Sequence, residues 1–148
     1  MAKFQTFKDL NVTFKPHPVT GDLIVKKDDA AIKQAVVNLL LTSKGERPFQ
    51  PDLGSNLRNL LFEHLDVATA AEIGDNIRQT LDQFEPRITV TGLEVDTNFD
   101  DNGFDVALEF EIIGREDFPV AIEFFLERTR YAIRSTIKPR LCRYQDCS

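Results

Sequence analysis

The 148-residue chain predicts an α+β fold, an N-terminal arm and helices packed on one face of a three-stranded antiparallel β-meander. Three observations predict it. First, Val67, Ala70, Ile73, Ile77, Leu81 and Phe84 recur at steps of three and four, the spacing of one helix face. Second, the period falls to two directly after Pro86: Ile88 and Val90, then Phe104, Val106, Leu108, Phe110 and Ile112, then Val120, Ile122, Phe124 and Leu126. Third, turn signals separate these runs, Asp100-Asp101-Asn102-Gly103 before the second and residues 114–119 before the third.

Taken in order, residues 1–27 form an extended arm. The arm alternates loosely, with Leu10, Val12 and Phe14 and then Leu23, Ile24 and Val25 on either side of a turn rich in proline and Gly-Asp around Pro16 to Asp22. Asp28 or Asp29 is the expected N-cap of a first helix, which places Ile32, Ala35, Val36, Leu39 and Leu40 on one side and stops near Gly45. A loop with two prolines and two glycines follows, and the large apolar Phe49 and Leu53 are expected to bury and order it. Ser55 is the expected cap of a short helix carrying Leu57, Leu60, Leu61 and Phe62, and Asp66 that of the long helix. Pro86 lacks an N–H and bars Glu85 from the α region, so the long helix ends at Phe84 or Glu85. In the sheet, the apolar phase slips from Val90 to Leu93 at Gly92, the mark of a β-bulge. The organisation expected is one unit over 1–130, with the arm at 1–27, a helical part at 28–85 and the sheet at 88–127. A basic tail at 131–148 follows.

Composition bounds the function. The net charge of −6 hides an asymmetry: residues 128–148 hold six Lys or Arg against one Asp, so the tail region carries +5 and the first 127 residues carry −11. An acidic body argues against a nucleic-acid groove, because phosphate contacts need clustered Lys and Arg. No apolar run approaches the roughly 18 residues of a membrane span, and the N-terminus lacks a signal-peptide block, so a cytoplasmic protein without nucleic-acid or membrane partners is expected. Cys142 and Cys147 are the only cysteines, so no disulfide framework holds the fold.

Catalytic constellations are missing. There is no phosphate-binding glycine loop, no H-E-x-x-H and no G-x-S-x-G; His17 and His64 are the only histidines, and the cysteine spacing fits no zinc pattern. No cofactor, metal or catalytic residue is therefore assigned. Two positions stand out instead. Glu85 is a carboxylate at the negative end of the long helix, an unfavourable place unless a cation answers it, and Arg87 lies just across the rigid proline. That pair either closes on itself or is presented to a partner. Phe125 stands between Glu123 and Glu127 on the outward side of the third strand, where solvent is expected, so either the tail folds over it or a partner does.

Gly45-Glu46-Arg47-Pro48-Phe49, Pro51-Asp52-Leu53-Gly54-Ser55, Leu60-Leu61-Phe62, Glu85-Pro86-Arg87 and Phe125-Leu126, in this order and spacing, resemble the baseplate wedge and sheath-initiator family of contractile-tailed bacteriophages. That family includes the baseplate component of type VI secretion systems and of phage-like contractile particles. The resemblance spans about residues 7–130 and leaves the basic tail unmatched. It implies a non-enzymatic structural subunit of a virion tail baseplate, assembled in the host cytoplasm. Its implied partners are other wedge subunits, the tail sheath protein and tube-proximal baseplate proteins. By the same resemblance Glu85, Pro86 and Arg87 dock on the wedge core bundle, with Arg47 of the loop as a further contact. Val120, Ile122, Phe124, Phe125 and Leu126 of the third strand would pair with a sheath arm by strand addition. Some members carry a lysozyme label, so the alternative is a peptidoglycan hydrolase of the tail.

Overall fold

The computed structural model describes residues 7–128 and 133–134. Short strands β1 (Lys8–Leu10) and β2 (Val25–Lys27) pair antiparallel as an N-terminal hairpin, followed by helices α1 (Asp28–Leu41), α2 (Leu57–Leu60) and α3 (Val67–Phe84). Strands β3 (Ile88–Asn98), β4 (Gly103–Ile112) and β5 (Arg115–Glu127) form the antiparallel meander, and β6 (Ile133–Arg134) adds a two-residue strand beyond β5. The fold is α+β, with the helices on one face of the sheet. Cys142, Cys147 and the rest of the tail beyond Arg134 lie outside the described residues, as do residues 1–6 of the arm.

Alternation builds the core. Phe104, Val106, Leu108, Phe110 and Ile112 of β4 and Val120, Ile122, Phe124 and Leu126 of β5 all turn inward and are buried. They meet Ala70, Ile73, Ile77 and Leu81 of α3, Ile32, Val36 and Leu40 of α1, and Leu57, Leu60 and Leu61 at α2. Val67, expected on this stripe, is instead exposed, because it opens the first turn of α3 beyond the reach of the sheet. The bulge falls where the phase slips, between Val90 and Gly92.

Both ends of α3 follow their local chemistry. Asp66 accepts the Thr69 N–H at 2.7 Å, and Glu85 ends the helix with its N–H donating to the Leu81 carbonyl at 2.9 Å. The caps of the other helices differ from expectation. The residue preceding α1 is Lys27, which makes no side-chain cap, and neither Asp28 nor Asp29 holds that position. Asn56 rather than Ser55 precedes α2, yet the buried Ser55 Oγ still accepts the Leu57 N–H at 3.4 Å while its hydroxyl donates to the Leu40 carbonyl at 2.7 Å. Ser55 thus bolts the loop onto the end of α1. Its N–H donates to the Thr42 carbonyl at 2.8 Å, and Gly54, at φ +128°, makes that approach possible: a Cβ there would collide with the same carbonyl.

The loop is therefore ordered through its backbone. Phe49, expected to bury, is 98% exposed, and Phe62 is 71% exposed. The third strand also begins earlier than expected. The turn after β4 occupies only Ile113 and Gly114, β5 starts at Arg115, and a register irregularity after Phe110 admits Pro119 without a break in the strand.

A helix side chain helps to tie the arm down. Gln34 of α1, buried, donates to the Leu10 carbonyl at 2.7 Å and accepts the Val12 N–H at 3.3 Å, so its amide serves as a surrogate strand for the edge of β1.

Candidate partner interface

The corner between α3 and β3 is built from three consecutive residues. Pro86 terminates the helix, and the chain turns so that Ile88 N–H reaches back to the Glu85 carbonyl at 3.4 Å and enters the sheet. Arg87 then lies beside the Glu85 carboxylate. Its Nε donates to Oε1 at 2.5 Å and its Nη2 to Oε2 at 2.6 Å, a bidentate ion pair. The carboxylate is 7% exposed and the arginine 34%. The awkward charge at the end of α3 is thus answered inside the chain.

The arginine has two further neighbours. Its guanidinium carbon sits 5.4 Å from the centre of the Phe7 ring, a cation–π contact, and the Phe7 carbonyl accepts the Asp28 N–H at 2.8 Å, which fixes the arm against α1. Hydrogen bonding to Glu85 raises the Arg87 pKa, partial burial opposes this, and the charges of Glu85 and Asp9 add to the rise. The cation is permanent at any working pH. One side of its planar group is taken by Glu85, and the exposed remainder is what an outside partner would meet.

The strand candidates divide by face. Val120, Ile122, Phe124 and Leu126 point into the core, so only their backbone is available to another chain, whereas Phe125 is outward and half-buried. Its ring lies over Gly103, where a Cβ would run into it, so the aromatic covers the bare backbone of the neighbouring strand. Part of the outer edge of β5 is already occupied. Phe125 and Leu126 pair with Arg134 and Ile133 of β6, and the Lys33 ammonium of α1 donates to the Ala121 carbonyl at 3.2 Å. Neither contact was foreshadowed by periodicity, since each joins residues far apart in sequence or in different elements. Arg47 is exposed in the same loop as Phe49 and sits apart from the Glu85 corner in sequence.

The histidines have structural surroundings. His17 Nδ1 accepts the N–H groups of Val19 and Thr20 at 3.3 and 3.4 Å and so stabilises the arm's turn; His64 is exposed ahead of α3. Among the described residues no three His, Cys, Asp or Glu converge as metal ligands, and no helix is long and apolar enough to cross a membrane.

The family model described as baseplate wedge protein gp25 matches residues 26–116, from β2 to the start of β5. The chain belongs to this baseplate wedge family. The baseplate wedge protein gp25 of Enterobacteria phage T4 is 33% identical over 87 residues, 59% of this chain and 66% of that protein, so the match spans just under two thirds of the relative. Among solved structures, the anti-feeding prophage baseplate contains a chain with TM-score 0.65 and 18% identity, covering 72% of this chain and 86% of that one. The post-contraction baseplate of pyocin R2 contains another at 0.53 and 23%, covering 66% and 96%. A Geobacter sulfurreducens protein provisionally described as a tail lysozyme aligns at 0.54 and 22%, covering 65% and 88%. These structural likenesses carry the fold. The wedge-family match includes the whole Glu85-Pro86-Arg87 corner but stops before the inward residues of β5 and before β6.

Proposed function

We propose that this member of the wedge family is a non-enzymatic structural subunit of a contractile-tail baseplate, joining other wedge subunits to the sheath. The observation that carries the proposal is the family match across residues 26–116, which encloses a corner rigid enough to dock. At that corner Pro86 fixes the chain, Glu85 holds the guanidinium from behind, and Arg87 presents its exposed edge. A pre-oriented cation loses little freedom on meeting a carboxylate or carbonyl of a partner. Removing one member of such an interfacial pair typically costs ~2–5 kcal/mol of binding. Glu85 itself acts as the anchor of Arg87. Arg47 and the exposed Phe49 offer a second contact of the kind that anchors interfaces, an arginine with an aromatic.

Sheath assembly is proposed to begin at the outer edge of β5, over residues 120–127. An arriving strand would use backbone groups of β5 and displace the Lys33 ammonium from Ala121. The hydrolase alternative has a fold relative but no supporting geometry here. A general acid needs a carboxyl free to give up a proton, and both oxygens of Glu85 are held by Arg87.

The test is reconstitution with wedge partners. Arg87→Ala protein that is folded by circular dichroism should lose its place in the wedge complex on size-exclusion chromatography. Normal incorporation would remove the docking role. Clearing of a peptidoglycan suspension by wild-type protein, abolished in Glu85→Gln, would move the assignment to an enzyme.

A further inference from the structure

The N–H donors that Arg87 leaves open lie on one edge. A guanidinium carries five donors in a single plane. Glu85 takes two of Arg87's, one from Nε and one from Nη2, and the group makes no further hydrogen bond among the described residues. The donors left are those of Nη1 and the outer one of Nη2, so a second bidentate acceptor fits only end-on, at the side away from Glu85.

The N-terminal arm reaches the same group. Phe7 lies directly before β1, half-buried against the core, and its ring flanks the guanidinium, whose central carbon is 5.4 Å from the ring centre. The ring is held from its own side: the Phe7 carbonyl accepts the Asp28 N–H at 2.8 Å, and Lys8 next to it pairs with Lys27 of β2. Glu85 thus fixes one edge of the cation and Phe7 one flank. An aromatic ring attracts a cation, which an aliphatic side chain of similar bulk does not.

Asp9 stands on the same side of the extended chain as Phe7, two residues on, and its charge acts on Arg87 together with that of Glu85. Its Oδ1 accepts the Leu10 N–H at 2.9 Å. One cation therefore faces two carboxylates. A carboxylate arriving end-on would be repelled by both, whereas a carbonyl oxygen meets the same donors without that repulsion.

We propose that the arm is part of the docking corner: Phe7 is the positioning residue for Arg87, and the group Arg87 receives end-on is an uncharged backbone carbonyl of a wedge partner. This rests on the docking role proposed for the corner and names the chemistry it reads.

Interferometry against an immobilised wedge assembly purified without this subunit tests it. Phe7→Leu, or Phe7→Met should the leucine variant not fold, keeps an apolar side chain and should bind about fivefold more weakly, with Phe7→Tyr within about twofold of wild type. Asp9→Asn keeps an oxygen for the Leu10 N–H and should also bind within about twofold. A gain of about fivefold or more in Asp9→Asn would mean that the partner brings a carboxylate, and would overturn the carbonyl assignment. A second readout needs no partner. In protein with isotope-labelled arginine, nuclear magnetic resonance should show faster exchange between Arg87 Nη1 and Nη2 in the aliphatic variant and unchanged exchange in Phe7→Tyr. Equal binding of Phe7→Leu and wild type, with Arg87→Ala failing to bind, would overturn the role of the arm and leave the docking corner standing. Equally weak binding of the leucine and tyrosine variants, with Nη exchange unchanged, would overturn it too, because the ring would then only fill space. Normal binding of Arg87→Ala would remove the docking role itself, and this proposal with it.

Discussion

Glu85 and Arg87 are joined by two hydrogen bonds, of 2.5 and 2.6 Å, across the single proline that ends α3. A carboxylate 7% exposed at the negative end of an 18-residue helix is tolerable because this arginine neutralises it. Arg87→Ala should therefore cost stability as well as binding. A fully buried pair broken on one side loses ~3–5 kcal/mol, and solvent at the one-third-exposed arginine reduces this to about 1–3 kcal/mol. Urea unfolding measures it. Glu85→Gln with Arg87 retained should lose less, since the amide oxygen still accepts one N–H; a larger loss than Arg87→Ala would contradict the anchoring role.

Gly54 has φ +128° and no room for a Cβ beside the Thr42 carbonyl. Gly54→Ala should cost roughly 2 kcal/mol or more, by backbone strain and by loosening the bonds from Ser55 to Thr42 and Leu40. A lowered urea midpoint, together with faster exchange of the Ser55 amide, is the expected signature. An unchanged midpoint would mean that the loop is free to move away from α1.

The hydrogen bonds from Thr69 hold the Asp66 carboxyl below its ordinary pKa of 3.8. A group whose pKa is depressed by folding stabilises the protein above its unfolded pKa and loses that contribution as pH falls through the folded value. Asp66→Asn keeps a capping oxygen that does not titrate. Between wild type and this variant, the difference in melting temperature should be constant from pH 6 to 8 and shift in favour of the variant below about pH 4. Parallel acid limbs in thermal melts would contradict the cap.

Lys33 spends its ammonium on the Ala121 carbonyl at the edge of β5, a common way of keeping an edge strand from pairing with other chains. Lys33→Ala should leave monomer stability within about 0.5 kcal/mol of wild type, because the contact is exposed. It should raise self-association measured by sedimentation, and it should not impair sheath nucleation on reconstituted baseplates. Loss of nucleation in this variant would make the lysine a contact rather than a guard.

Much of the fold could be read directly. The inward side of every sheet strand, the bulge at Gly92, the cap at Asp66 and the end of α3 at Pro86 each depend on chemistry within a few residues, and periodicity reports such chemistry faithfully. The candidate corner was also visible, because a carboxylate, a proline and an arginine stand in consecutive positions. Phe49 shows the limit. Its size argues for burial, yet the loop is held by the backbone bonds of Ser55 and the glycine before it, and the ring is left in solvent. Gln34 and Lys33 were equally illegible, since polar residues on a helix give no sign that they will meet a strand 24 or 88 residues away.

The sequence by itself determined the α+β pattern, the family and the place where helix becomes sheet, because period, turn chemistry and a motif series are properties of neighbours. Only the tertiary structure showed that Glu85 and Arg87 pair with each other within the chain. Their mutual pairing depends on how Pro86 turns the chain and on the core that excludes water from the carboxylate. It likewise decided that Phe125 stands over Gly103 in the middle of an acidic face, which requires three strands, far apart along the chain, to come into register.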